Sequence, residues 1–149
     1  MLMKKVILII AILFLIGALA FLTVRNQSGR PTVAINGQTY FIEIADTAAS
    51  QQHGLSDRLS LPQDHGMLFI FPEKQVRSFW MQDMQFPLDI IWIDGDTIVD
   101  ISENIPPPAV DEQPAIVYPK APVDKVLEVN AGEVKRLSVS VDQKIITDL

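Results

Sequence analysis

The stretch from Ser78 to Gly95 limits the possible folds of this chain more than any other. It holds both tryptophans, two of the five methionines and two of the seven phenylalanines. Aromatic side chains bury large areas and dominate core energetics, so a domain containing this stretch folds around it. Strand alternation from Leu88 to Ile93 puts Leu88, Ile90 and Trp92 on one face and Asp89, Ile91 and Ile93 on the other. Both faces are largely apolar, which marks a central strand covered on two sides. Asp83 and Asp89 stand in this apolar setting, and each carboxylate needs a partner or a wet pocket.

The flanking sequence supplies partners for that strand. Asn36-Gly37 joins Thr32–Ile35 to Gln38–Ile44, the residue pair that a type I′ hairpin turn favours. Asp46 is expected to cap a short helix over Thr47–His53 that ends at Gly54, leaving His53 an ordinary surface histidine. Met67–Phe71 reads as a buried strand closed by Pro72. Ser78–Met81 reads as a strand, followed by a bend through Asp83–Pro87. Asp94-Gly95-Asp96 turns the central strand into Thr97–Ile101. Val123–Val129 is a strand, Glu133–Leu137 one helical turn, and Ser138–Ile146 mostly strand. Six of the ten prolines fall between Pro106 and Pro122. Such a segment is either a functional or mobile loop or an extended strap over a sheet edge, pinned by Ile116 and Tyr118. The expected class is mainly β: a small sandwich or partly closed barrel with one or two short helices.

Lys4 and Lys5 precede an uncharged run from Val6 to Val24. At about 1.5 Å per residue this run spans about 28 Å, close to the thickness of a bilayer's hydrocarbon layer. The lysines would hold the N-terminus in the cytoplasm. Residues 1–24 are therefore expected to be a transmembrane anchor, 25–31 a linker, and 32–149 a single extracytoplasmic domain. A cleaved signal sequence, with Ala18-Leu19-Ala20 at the cleavage site, is the competing reading and would make the domain periplasmic or secreted. Beyond the anchor the chain carries ten basic and 18 acidic residues, a balance that excludes nucleic acid as a partner. With no cysteine there is no disulfide framework, thiol nucleophile or thiolate-bound metal.

No phosphate-binding glycine loop, nucleophile elbow or His-Glu-x-x-His motif occurs. Arg58 is the expected partner of Asp83 or Asp89. His65, Met67, Met81 and Met84 near Trp80 are donors soft enough for Cu(I). Methionine is more often core filler, and no metal or cofactor is expected. The candidate ligand-contacting residues are Arg58, His65, Trp80, Met81, Asp83 and Met84, in a shallow groove between the Trp80 bend and the proline-rich segment.

Several blocks, in order, resemble a known family: Gly54-Leu55-Ser56-Asp57-Arg58, Gly66-Met67-Leu68-Phe69-Ile70-Phe71, Phe79-Trp80-Met81, Phe86–Ile93, and Val126-Leu127-Glu128-Val129 with Gly132. The pattern is similar to the bacterial and archaeal family called Domain of Unknown Function 192, over about residues 33 to 147. The family's usual Asn after Trp-Met-Lys is Asp83 here, and Val141-Asp142 stands where Gly-Asp is typical. The resemblance implies a compact, mainly β domain and no established activity, ligand or catalytic residue.

Two function classes follow. One is a non-catalytic envelope domain that binds a small ligand or another envelope protein. The other is an envelope hydrolase with Asp83 or Asp89 as general base and Arg58 holding an anion. Whether Asp83, Asp89 and Arg58 converge in an open cleft discriminates between them.

Overall fold

The computed structural model describes residues 29–149 and Ile12. The expected membrane anchor therefore lies outside the described residues. No helix among the described residues is long and apolar enough to cross a membrane.

Asn36 and Gly37 adopt φ values of 49° and 80°, as a type I′ turn requires, and join β1 (Thr32–Ile35) to β2 (Gln38–Ala45). A short helix, α1 (Ala48–His53), and a connector lead to β3 (His65–Gln75), which lies parallel to β2. After β4 (Phe79–Trp80) come the central strand β5 (Leu88–Asp94) and its hairpin partner β6 (Thr97–Ile105). The proline-rich segment contributes β7 (Ile116–Val117). The chain ends with β8 (Val123–Asn130), the single turn α2 (Glu133–Leu137) and β9 (Ile146–Asp148).

Seven strands form one sheet in the order β6-β5-β8-β3-β2-β1-β9, with β4 and β7 as a separate pair. The two edges of the sheet meet through one segment. Asp142 to Ile145 exchange backbone hydrogen bonds of 2.8–2.9 Å with Asp96 and Ile98 at the start of β6. The next three residues pair with β1 as β9. The result is a curled half-barrel, partly closed at this end.

Strand alternation sorts the core into two clusters. Ile91 and Ile93 join Ile35, Ile42, Leu68 and Leu127 on the concave side. Leu88, Ile90 and Trp92 join Phe69 and Val126 on the other side, under Leu55, Leu61, Met81 and Met84. Gly66 makes the tight curl possible: a Cβ there would sit 2.8 Å from the Glu128 backbone oxygen.

Several expectations are corrected. The cap of α1 is Thr47, not Asp46. Thr47 is extended and its side chain accepts from the Ser50 N–H, while Ser50 Oγ accepts from the Thr47 N–H. Strand β3 runs through Pro72 because the register shifts between Ile70 and Gln75, so the missing N–H costs no ladder bond. Of the last expected strand, Ser138–Ile146, only Ile146 is regular, as the first residue of β9, since the residues before it turn toward β6. The proline-rich segment is an extended strap, but Ile116 and Tyr118 face solvent while Ala115 and Val117 pack inward. Its far end is held by Asp100, which accepts from both the backbone N–H and the Nζ of Lys120.

Candidate functional site

Two cross-strand rows on the outer face of the sheet form the base of the site. Glu43, Met67, Glu128 and Ile90 are successive partners across β2, β3, β8 and β5. The adjacent row runs Ala45, Phe69, Val126 and Trp92. Glu128 is thus flanked by apolar neighbours, and only 5% of its surface is exposed. Its carboxyl receives no hydrogen bond from the described residues. Burial pushes its pKa up to about 8, and Arg58 draws it back only in part.

Helix α1 forms one wall. The Gln51 side chain donates to the carbonyls of Ala45 and Ile70, pinning the helix where the parallel pair ends. Gly54 ends the helix at φ 53°, and a Cβ there would lie 3.3 Å from the Phe69 ring. The arm of β3 beyond Pro72 forms the opposite wall. Along it the Arg77 guanidinium lies 3.8 Å above the Phe71 ring. Phe79 fills the space beneath, edge-on to Phe69 at 4.8 Å and to Trp92 at 5.3 Å. The next residue, Trp80, points outward and stays 46% exposed. These parts enclose a groove of about 390 Å³, lined by Phe69, Phe71, Phe79, Trp80, Arg77 and Glu128 with polar groups that include His53, Ser56 and Ser78. A second depression of about 380 Å³ lies across Trp80, between His53, Asp57 and Asp83.

The bend carrying Trp80 is clamped to the connector. Ser56 Oγ donates to the Gln82 carbonyl and the Asp57 N–H donates to the Asp83 carbonyl, each at 2.9 Å. Asp83 has φ 57°, in the left-handed region that Asn and Asp tolerate best after glycine. That backbone demand is met by Asp here as by the Asn that the resembling sequences carry.

The sequence-derived candidates separate in space. Trp80 borders both depressions and Asp83 borders the second. Met81 and Met84 are buried in the outer core. His65 pairs with Asp64 at 2.8 Å and packs against Phe41. Arg58 makes a two-point pair with Glu43, at 2.5 and 2.8 Å, instead of pairing with Asp83 or Asp89. Asp89 is fully buried and accepts from the backbone N–H groups of Asn104 and Val134. Arg58, Asp83 and Asp89 therefore do not converge, and the constellation for a hydrolase is not assembled. The proline-rich segment runs beside Trp80, pairing Ile116 with it, and lines neither depression. Sequence reasoning missed Glu128, Arg77 and His53. The only signal for Glu128 is an acid between Leu127 and Val129 in an otherwise apolar strand.

The family model for Domain of Unknown Function 192, described as Uncharacterized ACR, matches residues 31–147. No curated protein matches the chain. A crystal structure of a protein of unknown function from Novosphingobium aromaticivorans DSM 12444 is 30% identical, with a TM-score of 0.69 over 78% of this chain and 83% of that one. A protein from Sinorhizobium meliloti 1021, described as a candidate transcription regulator, is 36% identical, also with a TM-score of 0.69, over 79% and 92% of the two chains.

Proposed function

Since this chain belongs to the Domain of Unknown Function 192 family, whose description names no activity, its function is read from its own groove, and we propose a non-catalytic module that binds a small ligand there. The observation that carries the proposal is Glu128: a carboxyl on a buried residue, lining a groove walled by aromatic rings, that receives no hydrogen bond among the described residues. Ligand sites combine apolar walls with a few placed polar groups, and this groove has both. Trp80 at the lip offers a flat contact surface at low entropic cost. The acidic balance of the domain argues against nucleic acid as the ligand.

The test is an NMR screen of small aromatic compounds against the isotope-labelled protein. Bound compounds should shift the Trp80 indole N–H and the amides of Ser56, Ser78 and Glu128, and Trp80→Ala should abolish the effect. Hits that perturb other regions, or that bind the Trp80→Ala variant equally, would overturn the proposal.

A second reading, an envelope protein as partner, is favoured by the exposed cross-strand pair Trp80 and Ile116 beside the groove. Either ligand would be met outside the cytoplasm if residues 1–24 anchor the chain as their charge pattern suggests. Protease added to spheroplasts should then digest the domain, whereas protection equal to a cytoplasmic control would reject this placement.

A further inference from the structure

The two depressions that meet at Trp80 are parts of one trough. Gln52, His53, Ser56 and Trp80 line both of them, and their volumes are about 390 and 380 Å³. Each alone lies within the range of small-molecule sites, so the trough has room for a ligand longer than either half. The backbone holds the indole between them in place. Trp80 pairs with Ile116, and the next N–H, that of Met81, donates to the Ala115 carbonyl at 3.0 Å. The second half is fixed as firmly, because the bonds from Ser56 and Asp57 to the Gln82 and Asp83 carbonyls lock its lining segments together. A ligand therefore meets a backbone that needs little ordering.

The polar side chains around the indole are uncommitted. Gln52, His53, Asp57, Gln82 and Asp83 are exposed, and none of their side chains has a hydrogen-bond or ion-pair partner among the described residues. Amides, carboxylates and an imidazole together offer donors and acceptors. Hydroxyl groups require both, since each donates one hydrogen bond and accepts others. No lysine or arginine lines the second depression, so its carboxylates disfavour an anion. No group of three acidic or histidine side chains among the described residues could hold a metal ion. The face of an aromatic ring is negative and attracts the slightly positive C–H groups of a saturated ring. A saturated ring with C–H groups on its face and hydroxyls around its rim is a sugar.

We propose that the trough binds a neutral oligosaccharide, with one ring stacked on Trp80, its neighbours in the two depressions, and their hydroxyls on Gln52, Asp57, Gln82 and Asp83. This rests on the reading of the groove as a ligand site, and adds the class of the ligand and the second half of its site. Gln82 and Asp83 line that half alone, whereas Phe69, Phe79 and Glu128 line the first alone. The two readings therefore separate at different residues.

The experiment titrates the full chain with cellotriose, maltotriose and chitotriose, followed by tryptophan fluorescence and NMR. Trigalacturonate and choline serve as anionic and cationic controls. At least one neutral trisaccharide should shift the Trp80 indole N–H and the side-chain amides of Gln52 and Gln82. Gln82→Ala should weaken that trisaccharide by about tenfold and leave unchanged the small aromatic compounds held in the first groove. Trp80→Phe should keep part of the affinity that Trp80→Ala loses. Trisaccharides that fail to bind, or that shift other amides, while small aromatic compounds still bind the groove, would overturn the sugar inference alone. Tighter binding of trigalacturonate or choline than of every neutral trisaccharide would do the same. No binding by any of these probes or by small aromatic compounds would overturn both readings. If Gln82→Ala fails to fold, the amide shifts in the unmodified chain still decide.

Discussion

Glu128 and Asp89 are both acids on central strands with almost no exposure, and their surroundings set them to opposite tasks. Asp89 reaches from β5 to the start of α2, where its cap residue, Gly132, has no side chain to offer. It does from a distance what Ser or Asp does at an ordinary helix start. Asp89→Ala leaves two donors unpaired, each costing about 1–3 kcal/mol. It should lower the unfolding free energy by roughly 3 kcal/mol in urea titrations. Glu128 stabilises nothing of this kind. Its folded pKa of about 8 lies above its ordinary value of 4.5, so the folded chain holds more protons than the unfolded chain between those values. Stability should therefore fall as the pH rises from about 4.5 to about 8, by about 1.4 kcal/mol for each unit of pKa difference at most. Glu128→Gln should remove that slope, making the variant the more stable protein at pH 9 and bringing the two close together at pH 4.5. Parallel urea midpoints across the range would show that Glu128 is not the titrating group.

At the scale of elements, β3 and β8 approach closely enough that Gly66 has no room for a methyl group. Gly66→Ala should separate the strands or shift the Glu128 carbonyl and cost about 1–3 kcal/mol, read as a lower Tm. Trp80→Ala, on the exposed lip, should stay within about 0.5 kcal/mol of the parent. The elements legible in the sequence are those whose pattern is local. Asn36-Gly37 announces its turn and Asp94-Gly95-Asp96 contains the next one, whose two turn residues are Gly95 and Asp96, and the alternation from Leu88 to Ile93 assigns each side chain to its observed face. The candidate site was legible only at Trp80 and Asp83. Glu128 escapes because its own strand reads as ordinary, and the groove it lines is assembled with α1 and Phe79, which are distant in sequence. The strap misled for a related reason. Its side-chain parity is set by pairing with β4, which nothing within the segment specifies.

At the scale of the molecule, the half-barrel is held shut by one short segment. Asp142 to Ile145 cover the start of β6, and Ile146–Asp148 covers β1. Removing residues 142–149 should expose both edges and the Ile145 site in the interior. Size-exclusion chromatography should then show self-association, and a monodisperse, equally stable domain would disprove the role given to this segment. The position of that segment also orders events in time. A chain is made from its N-terminus onward, so every other strand is delivered before the piece that seals the seam. Until that piece emerges, the nascent domain carries two unpaired strand edges and is exposed to wrong partners. Its last step of folding is therefore a late latching event, and the interval before it is when a chaperone would matter most.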